Sequence, residues 1–496
     1  MSKLPYTIII GLEVHVQLAT ESKLFCGCST RFGADPNTQI CPLCCGMPGT
    51  LPVMNRRAFE LSLRTAAALD LQIATSSKWD RKQYYYPDLP KGYQISQYDL
   101  PFSSDGYLDI DDPAGGEAKR RIGIIRAHLE EDAGKSLHDE VAGKADSRID
   151  LNRTGTPLLE IVSEPDLRSP AEAKVYLSEL KLLLTYLGVS DCNMQEGSLR
   201  VDANINLHVE TPEGKIATPI VEVKNMNSFR AVERALIFEV SRQWDLWQET
   251  GQKLGDVPKQ TRGWDDAAQI TRPQRSKEES SDYRYLPDPD LVPVEVSQEE
   301  IEAVRGSLGE LPAALRSRLR ESYGITSEDA DVLVNLGRPL VDYFIRVAER
   351  VGDGKLAGNW MRHDVPRMLK ESDSTIDDFP LSADLLAELL LKIKAGELDT
   401  SRGRQVLVAM VAGNQTADAA MRELGIEAVD SGDLESLCRE LIAANPRIVA
   451  DVQAGKQQAV GALIGQAKQK NPNINPGQVR DVCLRLIVKI TKIDDK

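Results

Sequence analysis

Ser198-Leu-Arg-Val-Asp-Ala-Asn-Ile-Asn-Leu-His-Val209 alternates apolar and polar residues without a break. That period of two belongs to a β-strand with one face in a core. Leu199, Val201, Ala203, Ile205 and Leu207 point one way; Arg200, Asp202, Asn204, Asn206 and His208 point the other. Four further segments add to the theme. Leu12, Val14, Val16 and Leu18 stand against Glu13, His15 and Gln17. Residues 121 to 130 place Arg126, His128 and Glu130 on one face, with Glu131 and Asp132 immediately after, and residues 157 to 164 place Glu160 and Glu164 together. A strand at 219 to 225 contributes Glu222 and Lys224, followed by Asn225 and Asn227.

A single polar strand face is an ordinary solvated surface. Several of them, each mixing acids with Arg, Lys, His or Asn, predict a shared site. Carboxylates and carboxamides are the oxygen ligands magnesium prefers, and Arg and Lys neutralise the phosphates such an ion bridges. The combination suits phosphoryl transfer; the competing reading is a salt-bridged open sheet surface. Gly134-Lys135-Ser136 imitates the end of a phosphate-binding loop, but Leu129 stands where the motif needs glycine. Lys135 then reaches a phosphate only as a lone cation.

Helices are expected from Arg56 to Leu71, from the N-cap Ser169 with Pro170 in the first turn to near Gly188, and from Ser228 to about Gly251. Interleaved with the strands they predict an α+β domain whose sheet is antiparallel or mixed. Pro287-Asp-Pro-Asp-Leu-Val-Pro293 breaks any regular element, and the pattern beyond it is helical throughout. A short helix around Asn414 to Leu424 opens a last, basic bundle. The chain of 496 residues thus divides at 1–292, 293–412 and 413–496.

Two close thiol pairs, Cys26-x-Cys28 and Cys41-x-x-Cys44, are spaced to meet at one tetrahedral zinc, with Cys45 as a competing thiol. Four sulfur ligands leave no position for water, so the ion would be structural. The alternative is a set of buried or reactive free thiols. Eight cysteines are few for the length, and Met1 to Ile10 lacks a secretory pattern, which predicts a cytoplasmic protein. No apolar run reaches the roughly 18 residues of a membrane span.

The formal charge of −15 argues against general nucleic-acid binding. Residues 441 to 496 reverse it locally, with nine Lys or Arg against four Asp, a net charge of +5. Such asymmetry suits either a nucleic-acid contact or a solvated helical surface. Tyr84, Tyr85, Tyr86, Tyr93 and Tyr98, among Arg81, Lys82 and Lys91, suit either packing or stacking on exposed bases. The polar run from Arg272 to Asp290 could close over bound phosphate, or be a solvated loop.

Assembled, these stretches closely resemble the GatB family, the B subunits of bacterial tRNA-dependent amidotransferases. The match runs nearly end to end. It is carried by Ile9-Ile-Gly-Leu-Glu13-Val-His15-Val, Tyr93-Gln-Ile-Ser-Gln97, His128-Leu-Glu-Glu-Asp-Ala-Gly-Lys135-Ser, Asn152-Arg-x-Gly155-x-Pro157-Leu-Leu-Glu160-Ile-Val-Ser-Glu164-Pro-Asp166, Glu196-Gly-Ser-Leu-Arg200-x-Asp202-Ala-Asn204, Lys224-Asn-x-Asn227-Ser-Phe229 and Asp282-Tyr-Arg-Tyr.

The resemblance implies a glutamine synthetase/guanido kinase-like catalytic domain, an all-α helical linker and a YqeY-like tail that engages tRNA. It implies that ATP phosphorylates the side-chain carboxylate of misacylated Glu-tRNA(Gln) or Asp-tRNA(Asn), and that ammonia then displaces the phosphate. Glu13, His15, Glu130 and Glu160 resemble the magnesium and ATP site, with Glu131, Glu196, Asp202, Asn204 and Lys135 as further contacts; Arg200 and Lys224 are carried over as phosphate-facing cations. The resemblance also strengthens the zinc reading of Cys26, Cys28, Cys41 and Cys44. No Gly-Gly-Ser-Ser stretch of the amidase kind is found, and Cys26-Gly-Cys28 has no evident His partner. Ammonia is therefore expected from a partner amidase, the A subunit, held with a small C subunit in a heterotrimer. Two rival readings are a glutamine-synthetase-like ligase on a free amino acid and a non-catalytic, zinc-stabilised RNA-binding protein.

Overall fold

The strand Tyr6–Gln17 pairs antiparallel with Pro157–Ser163 on one flank and with Leu199–Thr211 on the other, and the main sheet grows outward from it. In the computed structural model, which describes residues 5–115, 118–138, 147–274, 283–413, 415–426, 431–471 and 474–494, the chain forms two units, Met1–Leu311 and Pro312–Lys496.

Across the main sheet the strands run Ile270–Pro273, Gln260–Asp265, Val221–Lys224, Leu199–Thr211, Tyr6–Gln17, Pro157–Ser163, Lys119–Glu131, Ser103–Asp111 and Gln72–Ile73, with Gly214–Ala217 paired to Leu199–Thr211 off this path. All these pairings are antiparallel except that between Val221–Lys224 and Gln260–Asp265, so the sheet is mixed. A smaller sheet joins Asp80–Gln83 to Tyr93–Ser96 and Leu286–Pro287.

The apolar residues of the alternating strands form one buried face, with Ile10, Val14, Val16, Ala203, Ile205 and Leu207 fully enclosed. Helices Pro170–Tyr186 and Phe229–Thr250 supply Tyr176, Leu180, Leu184, Val232 and Leu236 to the same core. Each such aliphatic side chain contributes about 1.5–3 kcal/mol over an exposed one. The other face carries the polar residues. Both helices start where the sequence indicates: Ser169 accepts the Glu172 N–H and Ser228 that of Ala231, while Gly251 ends the second at φ +64°. The helix after the N-cap Asn55 ends earlier than expected, at Ala68, because Asp70 turns left-handed at φ +52°.

The alternation over 121 to 130 is interrupted. Arg126 is opposite Val162, but Ile124 is opposite Ser163, so a bulge places one extra residue, Ile125, in this strand. Ile122 and Ile124 before the bulge and Ala127 and Leu129 after it are therefore buried in the same core, while Arg126, His128 and Glu130 keep a common face. Glu164, expected beside Glu160, lies past this shift, exposed, with its N–H bonded to the Gly123 carbonyl at 2.8 Å.

Among its described residues the second unit is helical, from Pro312–Tyr323 to Pro476–Asp494. Its C-terminal helices share a core of Leu434, Cys438, Leu441, Leu463, Val479, Cys483 and Leu486. The expected short helix is Ala417–Glu423, capped by Thr416; Asn414 lies outside the described residues. No helix among the described residues is long and apolar enough to cross a membrane.

Candidate active site and metal knuckle

Register turns the separate alternations into one surface. His15 is opposite Glu160 on one side and Arg200 on the other, and Glu160 is opposite His128. His128, Glu160, His15 and Arg200 thus form a row across four strands. The adjacent row is Arg126, Val162, Glu13 and Asp202, and Glu130 extends the cluster from a position opposite Leu158.

His15 Nε2 lies 3.5 Å from Glu160 Oε2 and 3.9 Å from Glu130 Oε1. His128 Nε2 approaches the same Glu160 oxygen at 3.4 Å. Against the cost of burial, His128 and the His15 hydrogen bond hold the Glu160 carboxyl well below its ordinary value. Against the same cost, Glu160 and then Glu130 raise His15. His128 goes the other way: burial outweighs the nearby acids and favours the neutral ring. His128 Nδ1 and Asn204 Oδ1 are buried with no hydrogen-bond partner among the described residues.

His15, Glu130 and Glu160 each offer a donor atom, all within 4.8 Å of one another. One divalent cation can bridge that span. The carboxylates are hard donors that suit magnesium; the imidazole is a donor that manganese and zinc also accept. Glu13 stands in the next row and accepts a hydrogen bond from Asn204 Nδ2 at 2.8 Å.

The two expected cations are already engaged. Arg200 reaches the buried Asp132 at 2.9 Å, and Lys224 reaches Asp202 at 2.5 Å and Glu222 at 3.6 Å. Asp132 also accepts from Gln17 Nε2 at 2.8 Å. Despite burial, Arg200, Arg153 and Gln17 hold its carboxyl below the ordinary range. In the sequence Asp132 stands out only as a neighbour of Glu131, yet it is the residue that anchors Arg200.

Glu131 turns away from the Glu130 face. It pairs with Lys91 and accepts the Ile95 N–H at 2.9 Å. Lys135 is exposed on the hairpin strand Lys135–His138, and Glu196 is exposed in the turn before Leu199. Gly134 serves packing: a β-carbon there would lie 2.9 Å from the carbonyl oxygens of Asp88 and Asp150. Tyr84 lies edge-on to Tyr86 and Tyr283, and Tyr98 stacks on Tyr285 with centroids 4.0 Å apart, yet Tyr85, Tyr86 and Tyr98 all stay exposed. Of the polar run expected to close over phosphate, residues 275–282 lie outside the described residues.

The sulfurs of Cys26, Cys28, Cys41 and Cys44 also lie within 4.8 Å of one another, and Cys45 stays outside the group. Cys44 Sγ is 3.7 Å from Cys26 Sγ and 3.8 Å from Cys41 Sγ. Tetrahedral zinc with Zn–S bonds of about 2.3 Å sets its sulfurs about 3.8 Å apart, so the cluster fits the ion. The Cys26 hydrogen bond, the Cys41 turn and the Lys23 ammonium, 3.3 Å away, lower the Cys44 thiol to about 4. Cys28 is pushed up to about 11, by burial first and then by its sulfur neighbours.

Known proteins match almost the whole chain. The GatB/GatE catalytic domain profile matches residues 8–302, and the GatB domain profile matches residues 342–487. The chain is similar to the B subunit of the aspartyl/glutamyl-tRNA(Asn/Gln) amidotransferase of Rhodopirellula baltica, at 60% identity over 98% of each chain. It is 47% identical to the protein of the same name from Moorella thermoacetica, over 96% of this chain and 98% of that one. For the Thermosynechococcus vestitus protein of that name the identity is 45%, over 95% of this chain and 94% of that one.

Proposed function

The chain belongs to the family of aspartyl/glutamyl-tRNA(Asn/Gln) amidotransferase B subunits, and from that membership we propose that its polar sheet face activates the side-chain carboxylate of Glu or Asp on a misacylated tRNA(Gln) or tRNA(Asn) for amidation. The observation that carries this reading is the convergence of Glu160, Glu130 and His15 on one polar sheet face, flanked by Arg200 and Lys224. A carboxylate has no acceptable leaving group, so direct amidation in water does not proceed.

Glu130, Glu160 and His15 would hold the divalent cation, with Glu13 as a carboxylate in the adjoining row. Bound magnesium and ATP supply the phosphoryl group that converts a carboxylate oxygen into a leaving group. Arg200, fixed by Asp132, and Lys224, fixed by Asp202, give the face cations at set positions, which lowers the reorganisation needed when negative charge develops. Asn204 orients Glu13 through its amide, leaving its own carbonyl oxygen for a donor that arrives with the ligand.

Ammonia comes, in this reading, from an amidase, the A subunit of a complex that includes a small C subunit. The division into a catalytic domain at 1–292, a helical linker at 293–412 and a tRNA-binding tail at 413–496 belongs to the same proposal, as does a cytoplasmic setting. The basic charge of the tail supports it. The zinc knuckle has a structural role.

The test is release of phosphate from ATP by the assembled complex, with magnesium, on addition of Glu-tRNA(Gln) or Asp-tRNA(Asn). Release that depends on a misacylated tRNA is expected; no release with either overturns the reading. Equal release with free glutamate favours the rival ligase.

A further inference from the structure

Lys82 differs from the other cations of this region. Arg200 and Lys224 each answer to acids of their own. Lys82 makes no ion pair with any described carboxylate, and its ammonium sits 5.0 Å from the centre of the Tyr283 ring. It lies on Asp80–Gln83, opposite Gln94, just as Asp80 lies opposite Ser96.

Directly opposed residues of an antiparallel pair project to the same face. Here that face meets the end of the Glu130 strand: Gln94 Nε2 donates to the Glu131 carbonyl at 2.7 Å, and Ser96 Oγ to Glu130 Oε2 at 3.4 Å. Lys82 therefore projects toward the acidic cluster. Although burial opposes it, the fields of the Glu130 and Glu160 carboxylates keep its ammonium protonated. A half-buried cation held beside an aromatic ring rather than in a salt bridge keeps its charge for an anion that enters from outside.

We propose that Lys82 is a catalytic residue of the activation step, its ammonium contacting the phosphoryl group as it passes from ATP to the side-chain carboxylate. The assignment rests on the activation reading above. In that step a carboxylate oxygen bonds to the γ-phosphorus while the bond to the β,γ-bridging oxygen breaks, and ADP leaves with that electron pair. Ammonia then adds to the acyl carbon, and phosphate leaves with one of its protons. Charge in the first transfer is spread over the three peripheral phosphoryl oxygens. Lys82 can meet them with an ammonium that no described carboxylate holds, while Arg200 and Lys224 act from the positions that Asp132 and Asp202 fix.

The experiment uses the assembled complex carrying Lys82→Met or Lys82→Arg. Lys82→Met is expected to slow tRNA-dependent phosphate release about 100-fold or more, with Lys82→Arg retaining part of the rate. A second readout is Mn2+ binding without nucleotide, followed by electron paramagnetic resonance. Removing a positive charge near the metal-binding acids leaves Mn2+ affinity unchanged or raises it, whereas loss of a merely structural lysine lowers it. Wild-type complex that releases no phosphate overturns the activation reading and this assignment together. Wild-type release matched by Lys82→Met overturns the assignment alone. Slow release with weakened Mn2+ binding also overturns it, leaving Lys82 a structural role.

Discussion

Gly46 and Lys91 meet backbone to backbone: a β-carbon on Gly46 would lie 2.9 Å from the Lys91 amide nitrogen. Gly46 follows Cys41-x-x-Cys44 at φ +68°, its N–H bonded to the Leu43 carbonyl at 3.0 Å. Lys91 in turn pairs with Glu131, next to Glu130. The knuckle is thus packed on the loop that fixes the end of a site strand. Gly46→Ala is expected to destabilise the unit by about 1–3 kcal/mol through left-handed strain and the clash. The readout is a lower Tm and a lower kcat with zinc content unchanged; a variant as stable as wild type would show that the contact is slack.

Zinc itself is expected at about one equivalent per chain, measurable with a colorimetric chelator after proteolysis. Cys44→Ser and Cys28→Ser should each lose most of it, while Cys45→Ser should keep it, because Cys45 lies outside the four-sulfur group. Stripping the metal should lower Tm without unfolding the unit, whose core runs far beyond the knuckle through Ile10, Tyr176 and Leu236. Zinc retained by Cys44→Ser would remove the ion from this position.

The strands were legible because an alternating face is written locally, and the caps at Ser169 and Ser228 because each needs only its own first turn. What joins His15 to Glu160 is register, which no single strand encodes; it is set by how whole faces pack. The bulge at Ile125 was hidden for the same reason, since Arg126, His128 and Glu130 alternate on either account. Glu131 was carried over with its motif, but its neighbours on the sequence could not reveal Lys91. Lys82 is the least legible of these residues. Asp80-Arg-Lys-Gln83 shows no apolar alternation, and its direction follows only from the pairing of Gln94 and Ser96.

Glu160 bridges His15 and His128, so its substitution should disturb both. Glu160→Gln keeps the shape and removes a charged donor. Mn2+ affinity is expected to fall by about 10–100-fold, with phosphate release falling at least as far. His15→Ala should do the same with a smaller loss, because both carboxylates remain. Unchanged Mn2+ binding in Glu160→Gln would move the cation elsewhere.

Asp132 gives the site an acid limb in its stability. Its folded carboxyl is held below the ordinary value by Arg200, Arg153 and Gln17 acting against burial. The unfolded chain titrates near ~3.9. The stabilisation is therefore complete above that value and is lost as pH falls through the lower folded one. Asp132→Asn removes the titration and leaves Arg200 without its partner, so it should cost about 1.5–3 kcal/mol at neutral pH. Denaturant melts of both proteins from neutral pH downward should show the gap narrowing in acid. A gap independent of pH would mean that the Asp132 charge does not stabilise the fold, and that Arg200 is held by something else.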